Sequence, residues 1–120
     1  MSAAKDTVQR YMEAYARWDH EAVLSCLTDD VEWVVPGAFH FTGKAAFDNE
    51  IEGQGAAGPP EITVTRLVEE GDVVVAEGSV RNALSDGGML SLVYCDVFVM
   101  QGDLIRHLTS YLMPVPDPGP

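Results

Sequence analysis

The feature that most limits the fold is a series of four strand-length segments in the second half of the chain, with only a few turn residues between them. ITVTRLVE (62–69) and VVVAEGSVR (73–81) flank Glu70-Gly71-Asp72. LSLVYCDVFVM (90–100) follows Ser85-Asp86-Gly87-Gly88, and LIRHLTSYLM (104–113) follows Gln101-Gly102-Asp103. Aliphatic, β-branched and aromatic residues dominate these segments, and links this short and turn-rich join neighbours into an antiparallel meander.

The first half has a helical period instead. Asp6 is positioned to cap a helix to about Arg17, with Val8, Tyr11, Met12, Tyr15 and Trp18 as its apolar stripe. Asp19 is positioned to cap a second, short helix, His20 to Leu27, buried through Ala22, Val23, Cys26 and Leu27. VEWVV (31–35) reads as a strand stopped by Pro36-Gly37, Phe39-His40-Phe41 as a loop at a lid or rim, and Lys44 to Glu52 as a third helix with Phe47 and Ile51 inward. GQGAAGPP (53–60) reads as a loop and residues 114–120 as an extended or frayed Pro-rich tail. Helices followed by strands predict an α+β fold, a curved antiparallel sheet with the helices on one face. The open end of such a cup suits a small ligand.

The chain's 120 residues suit a single domain spanning 1–120, and 47% apolar content supplies its core. A formal charge of -12 repels polyanions, so nucleic acid is not an expected partner. No segment is long and apolar enough for a membrane helix, and MSAAKDTV lacks the apolar run of a leader, so a cytoplasmic protein is expected. Cys26 and Cys95 read as two reduced, mostly buried thiols. Neither a metal-binding spacing nor a Gly-rich phosphate loop is present, so no metal and no cofactor is expected. His20 and the Asp29-Asp30 and Glu69-Glu70 pairs read as solvated.

Asp96 stands in the middle of Val93-Tyr94-Cys95-Asp96-Val97-Phe98-Val99-Met100. A carboxylate buried there must find partners or take up a proton; on the convex face it would simply meet water. A two-residue turn at Gly102-Asp103 would pair Gln101 with Leu104 and set Asp96 opposite Thr109, with His107 and Tyr111 as diagonal neighbours on the same face. A two-residue turn at Asp86-Gly87 would set Glu77 opposite Asp96 and give that face Ser79 and Tyr94 as well. The apolar series Val74, Ala76, Gly78 and Val80 points the other way and places Glu77 outside.

VQRYMEAYARWDHEAVLSCLTDDVEW, FTGKAAF and YCDVFVMQGDLIRHLTSYL together resemble the nuclear transport factor 2-like superfamily, which includes ketosteroid isomerase, SnoaL-like polyketide cyclases and limonene epoxide hydrolase. The resemblance covers residues 7–113 and implies a cone-shaped α+β fold. In ketosteroid isomerase an Asp base works beside an oxyanion hole made of a Tyr and a protonated Asp. The resemblance to it implies Tyr11 and Asp96 as the oxyanion donors. Its base position falls on Val35, so the base is missing there, and Leu27 and Ile51 or a neighbour stand where its supporting tyrosines would be. His107 is the replacement base that the sequence offers. The epoxide hydrolase pattern keeps only Asp96: Tyr94 stands for its Arg and Ser110 or a neighbour for its second carboxylate, leaving Glu77 as the one substitute.

The catalytic set expected is thus Tyr11, Asp96 and His107. Tyr15, Trp33, Val35, Phe39, Phe47, Tyr94, Phe98 and Tyr111 are expected to line the substrate site. The expected function is cofactor-independent acid/base chemistry (isomerase, cyclase or dehydratase) on a small apolar carbonyl or polyketide-like molecule. The alternatives are a non-catalytic small-ligand-binding or dimerising member of the fold and an epoxide hydrolase. The partners expected are a small apolar molecule and a second copy of the chain, as a homodimer.

Overall fold

Helix α1 spans Ala3–Ala16 in the computed structural model, which describes residues 2–53 and 55–119; Gln54 of the 53–60 loop and Pro120 of the tail lie outside the described residues. Its cap is Ser2 rather than Asp6: the Ser2 hydroxyl accepts from the Lys5 amide at 3.0 Å, and Asp6 sits in the first turn, where a carboxylate complements the helix dipole. The helix closes with paired bonds from the Trp18 amide to the Tyr15 carbonyl and from the Asp19 amide to the Ala14 carbonyl. That closure needs a left-handed residue, and Trp18 supplies it at φ 54°. Trp18 therefore lies beyond the stripe to which its spacing assigns it.

Asp19 caps α2 (His20–Leu24) through the Ala22 amide. The helix is shorter than expected because Leu27 already belongs to β1 (Leu27–Val35). Phe39-His40-Phe41 is also corrected: it forms most of strand β2 (Phe39–Thr42), which folds back on β1 after the turn at Pro36-Gly37. Helix α3 (Lys44–Ile51) follows, then β3 (Glu61–Glu70), β4 (Val73–Ala83), β5 (Met89–Gln101) and β6 (Leu104–Pro114).

The strands form one curved sheet in the order β2-β1-β6-β5-β4-β3. The β3 to β6 meander is antiparallel as expected, but β1 pairs parallel to β6, so the sheet is mixed. A parallel neighbour is possible here because a long crossover, residues 36–103, connects the two strands.

Two irregularities overturn the expected registers. Ala83 pairs with Met89, leaving residues 84–88 as a loop longer than two residues, and this shift sets Asp96 opposite Ala76 and Glu77 opposite Cys95. Between β5 and β6, Gln101 pairs with Leu104 as expected, but the register slips between Val99 and Met100 and accommodates Arg106 as an extra residue. Asp96 then lies opposite Ser110 rather than Thr109. A one-residue slip exchanges the faces of a strand. Leu108, Ser110 and Leu112 point inward, while His107 and Tyr111 join Val99 and Cys95 on the outer face.

The core lies between the sheet's inner face and the helices. Tyr11 and Trp33 both pack on Phe47, Trp33 stacking at 4.6 Å between ring centroids, and Tyr11 meets Phe98 edge-on at 5.5 Å. Thr7 ties α1 to the β5–β6 turn by donating to the Asp103 carbonyl at 2.6 Å. His20 stays partly exposed, as expected, and also bridges α2 to α3 through Asp48 (2.6 Å) and Glu52, so the solvated side chain is a clasp as well. The described part of the tail is pinned on the outer face: Asp117 accepts from Arg81 at 2.7 Å and from Ser91 at 2.8 Å.

Candidate functional site

The inner face of the sheet and the C-terminal half of α1 enclose a cavity of about 260 Å³. Its walls are mainly apolar: Val35, Ile62, Val80, Leu90, Leu92 and Leu112 lie toward the strand ends, Phe39 sits beside Val35, and Met12 and Trp33 complete the lining. Polar groups converge at its floor, where α1 supplies Tyr11, β5 supplies Asp96 and Tyr94, and β6 supplies Ser110; Tyr15, one turn further along α1, reaches toward the end of α3.

Tyr11 is 2% exposed, and its ring is held by Phe47, Phe98 and Tyr15. Among the described residues its hydroxyl has no hydrogen-bond partner, although it lines the cavity. Burial, then the nearby Tyr15 and Asp96, hold that phenol well above its ordinary range, so it is a donor at neutral pH. Tyr15 donates to the Glu50 carbonyl at 3.3 Å, and its ionisation is disfavoured first by burial and then by Glu50 and Asp96.

Asp96 is 9% exposed. Burial pushes its carboxyl up from the usual range to about 7, with the adjacent Ser110 hydroxyl pulling the other way. Ser110 is itself buried and accepts from the Trp33 indole N–H at 3.1 Å. An indole only donates, so the Ser110 oxygen is the acceptor in that bond and its own O–H is left for the carboxyl beside it. Trp33 thus contributes an oriented polar group as well as wall.

Tyr94 reaches across β4 and donates to the Thr63 carbonyl at 3.2 Å. This crossing depends on Gly78: a β-carbon there would sit 1.8 Å from the Thr63 carbonyl oxygen and 2.7 Å from the Tyr94 hydroxyl. Burial and then Asp96 push the Tyr94 phenol up to about 12.

Of the residues expected to form the site, Tyr11, Tyr15, Trp33, Val35, Phe39, Tyr94 and Asp96 line one cavity. Phe47 and Phe98 are packed behind it as fully buried core. The register excludes two others: His107 pairs with Val99, and Tyr111 with Cys95, on the outer face away from Asp96. Glu77 is outside too, where it meets Arg66 at 2.9 Å, so no second carboxylate flanks Asp96 from β4. Glu50 and Asn82 join the site without having been expected there, and Ser110, noted only as standing where an epoxide hydrolase has its second carboxylate, lines it too. The signal for Ser110 is present in the strand itself. Ile105 and Leu108 are an odd number of positions apart, which strict alternation forbids if both face the core and a bulge permits.

The fold and the cavity define a class: small α+β cones with an apolar interior and a buried acid. The chain belongs to the SnoaL-like domain family, whose pattern matches residues 8–108. No curated protein matches it. Among solved structures it is similar to an LEH-like epoxide hydrolase from M. tuberculosis, with 20% identity, a TM-score of 0.81, and 92% of this chain and 83% of that one covered. It is similar to an NTF2-like protein of unknown function from Burkholderia pseudomallei, with 20% identity, a TM-score of 0.85, and coverage of 94% and 92%. A protein described as a ketosteroid isomerase, from Kribbella flavida, is 22% identical with a TM-score of 0.76 and coverage of 98% and 83%. Likeness at this level of identity establishes the nuclear transport factor 2-like fold and leaves the chemistry to the site.

Proposed function

We propose that the chain is a cofactor-independent acid/base enzyme acting on a small, mostly apolar carbonyl compound, with Asp96 as the group that moves the proton. The observation that carries this reading is a buried carboxyl brought to about 7 at the floor of an apolar cavity that Tyr11 also lines, the Tyr11 hydroxyl having no partner among the described residues. A group poised near neutrality is populated in both forms, which suits it to take a proton and return it. No separate base is then required, which removes the difficulty posed by Val35 and by His107 on the outer face.

In this scheme ionised Asp96 removes a proton from the carbon next to the carbonyl. The electron pair shifts onto the carbonyl oxygen, which accepts a hydrogen bond from Tyr11. Protonated Asp96 then delivers the proton to a second carbon, so the net change is an isomerisation with no redox step. Ser110 and Trp33 hold the carboxyl in place. The same proton transfers would serve ring closure or dehydration in a polyketide-like substrate.

The test is proton exchange from deuterated water into a β,γ-unsaturated cyclic ketone, together with its conversion to the conjugated isomer. Asp96→Asn should abolish both. Tyr11→Phe should lower kcat by about 10²-fold or more, the effect of losing one oxyanion donor. The wild-type rate should change with an inflection near pH 7. Unchanged rates in both variants would refute the reading.

The outer face supports self-association as a second property. Val93, Tyr111 and Met113 are 42%, 53% and 63% exposed on adjacent strands, an arrangement suited to a second copy. Tyr111→Glu should leave a monomer in sedimentation if that face is the dimer interface, and an unchanged mass would rule it out.

A further inference from the structure

The cavity has a polarity along its length that goes beyond an acid in an apolar pocket. At the floor, Tyr11 offers an O–H with no partner among the described residues, and Asp96 offers one whenever it is protonated. The mouth presents the opposite character. Asn82 donates through Nδ2 to the Gly58 carbonyl at 3.0 Å and the Ala83 carbonyl at 3.4 Å, which leaves its Oδ1 as an acceptor. Glu50 lines the cavity where α3 ends, beside the Tyr15 hydroxyl that bonds its main chain. The Tyr15 phenol is disfavoured from ionising first by burial and then by Glu50 and Asp96, so both carboxyl groups act on this one cavity side chain. Among the described lining residues there is no Lys, Arg or His, and the whole chain carries a formal charge of -12. An anion in the cavity would face negative charge at both ends with nothing to neutralise it.

We infer that the cavity selects a ligand without negative charge that turns a hydrogen-bond acceptor to the floor and a hydrogen donor, best an ammonium group, to Glu50 and Asn82 at the mouth. This rests on the carbonyl-at-the-floor reading above and adds the group required at the other end. Carboxylate-bearing and phosphate-bearing substrates are excluded by the same arrangement. Amino or hydroxy ketones of modest size fit it.

Three probes that share a ring and a carbonyl separate the two ideas: acetophenone, 4-(aminomethyl)acetophenone and 4-acetylbenzoate, titrated calorimetrically at neutral pH. The amine should bind at least about tenfold tighter than the acid, with acetophenone between them. Glu50→Gln should narrow the gap between amine and acid by about tenfold while changing acetophenone by no more than about twofold. Asn82→Asp, which adds charge at the mouth, should widen that gap. Equal affinity for the amine and the acid would overturn the inference. The Asp96 reading would survive that result if all three probes show a pH dependence that Asp96→Asn removes. A pH dependence that Asp96→Asn leaves intact, with the amine still preferred, would keep the mouth and refute the floor. Failure of all three to bind at millimolar concentration would refute both.

Discussion

Asp96 sets a conflict between stability and chemistry at a single residue. Its folded pKa of about 7 lies above the unfolded value of about 3.9, so the folded state binds the proton more tightly. The stability linked to this group is therefore fully present below pH ~4 and is lost as pH rises through about 7. The loss amounts to at most about 4 kcal/mol by the size of the shift. Asp96→Asn should accordingly be more stable than wild type at pH 8 and close to it at pH 4, as chemical denaturation at the two pH values would show. Wild-type stability above that of the variant at pH 8 would mean that Asp96 is not desolvated. Gly78 makes a different demand. With a backbone carbonyl only 1.8 Å from where a β-carbon would lie, Gly78→Ala must displace β3 or break the Tyr94–Thr63 bond, and should cost about 3 kcal/mol. A loss below about 0.5 kcal/mol would show that the strands part freely.

At the scale of elements, the bulge at Arg106 decides which side chains meet Asp96. The meander, the helix-first order and Tyr11 beside Asp96 are all legible in the sequence; the first two are local signals of periodicity and short turns, and the third comes from the family resemblance. The register is not legible, because one extra residue reverses a whole strand and its cause is tertiary: β6 must pair with β5 on one side and β1 on the other. Regular alternation misplaces His107 and Tyr111 for that reason, and hides Ser110 for the same one. Parallel pairing of β1 is hidden because nothing local records a partner so distant in sequence. The α2–α3 clasp gives this scale its own prediction. Its hydrogen bonds to Asp48 and then Glu52 raise the His20 pKa, so the stability it adds is fully present below the unfolded value of about 6.5 and is lost as pH rises through the raised folded value. Amide exchange in α2 and α3 should quicken over that interval beyond its intrinsic increase with pH, and His20→Ala should remove the extra step. A step of the same size in His20→Ala would assign it elsewhere.

The whole molecule wraps a curved sheet and its helices around a cluster of aromatic rings, and its cavity keeps its few polar groups at the floor and the mouth. Phe47 helps fix the floor from behind, so Phe47→Ala should cost about 3–5 kcal/mol and loosen Tyr11 and Trp33 together. The outer face has a separate acid response. Asp117 is held at about 2, first by Arg81 and then by Ser91, so the stability it lends the tail is present above pH ~4 and is lost as pH falls through about 2. That response occupies a different pH range from the floor, so it does not mask it. The most direct test of the central claim is the carbon-13 NMR titration of the Asp96 carboxyl, assigned by its disappearance in Asp96→Asn. The midpoint should lie near 7 and shift further upward in Ser110→Ala, because the lowering partner is gone. A midpoint below about 5, in the range of an ordinary solvated carboxylate, would contradict it.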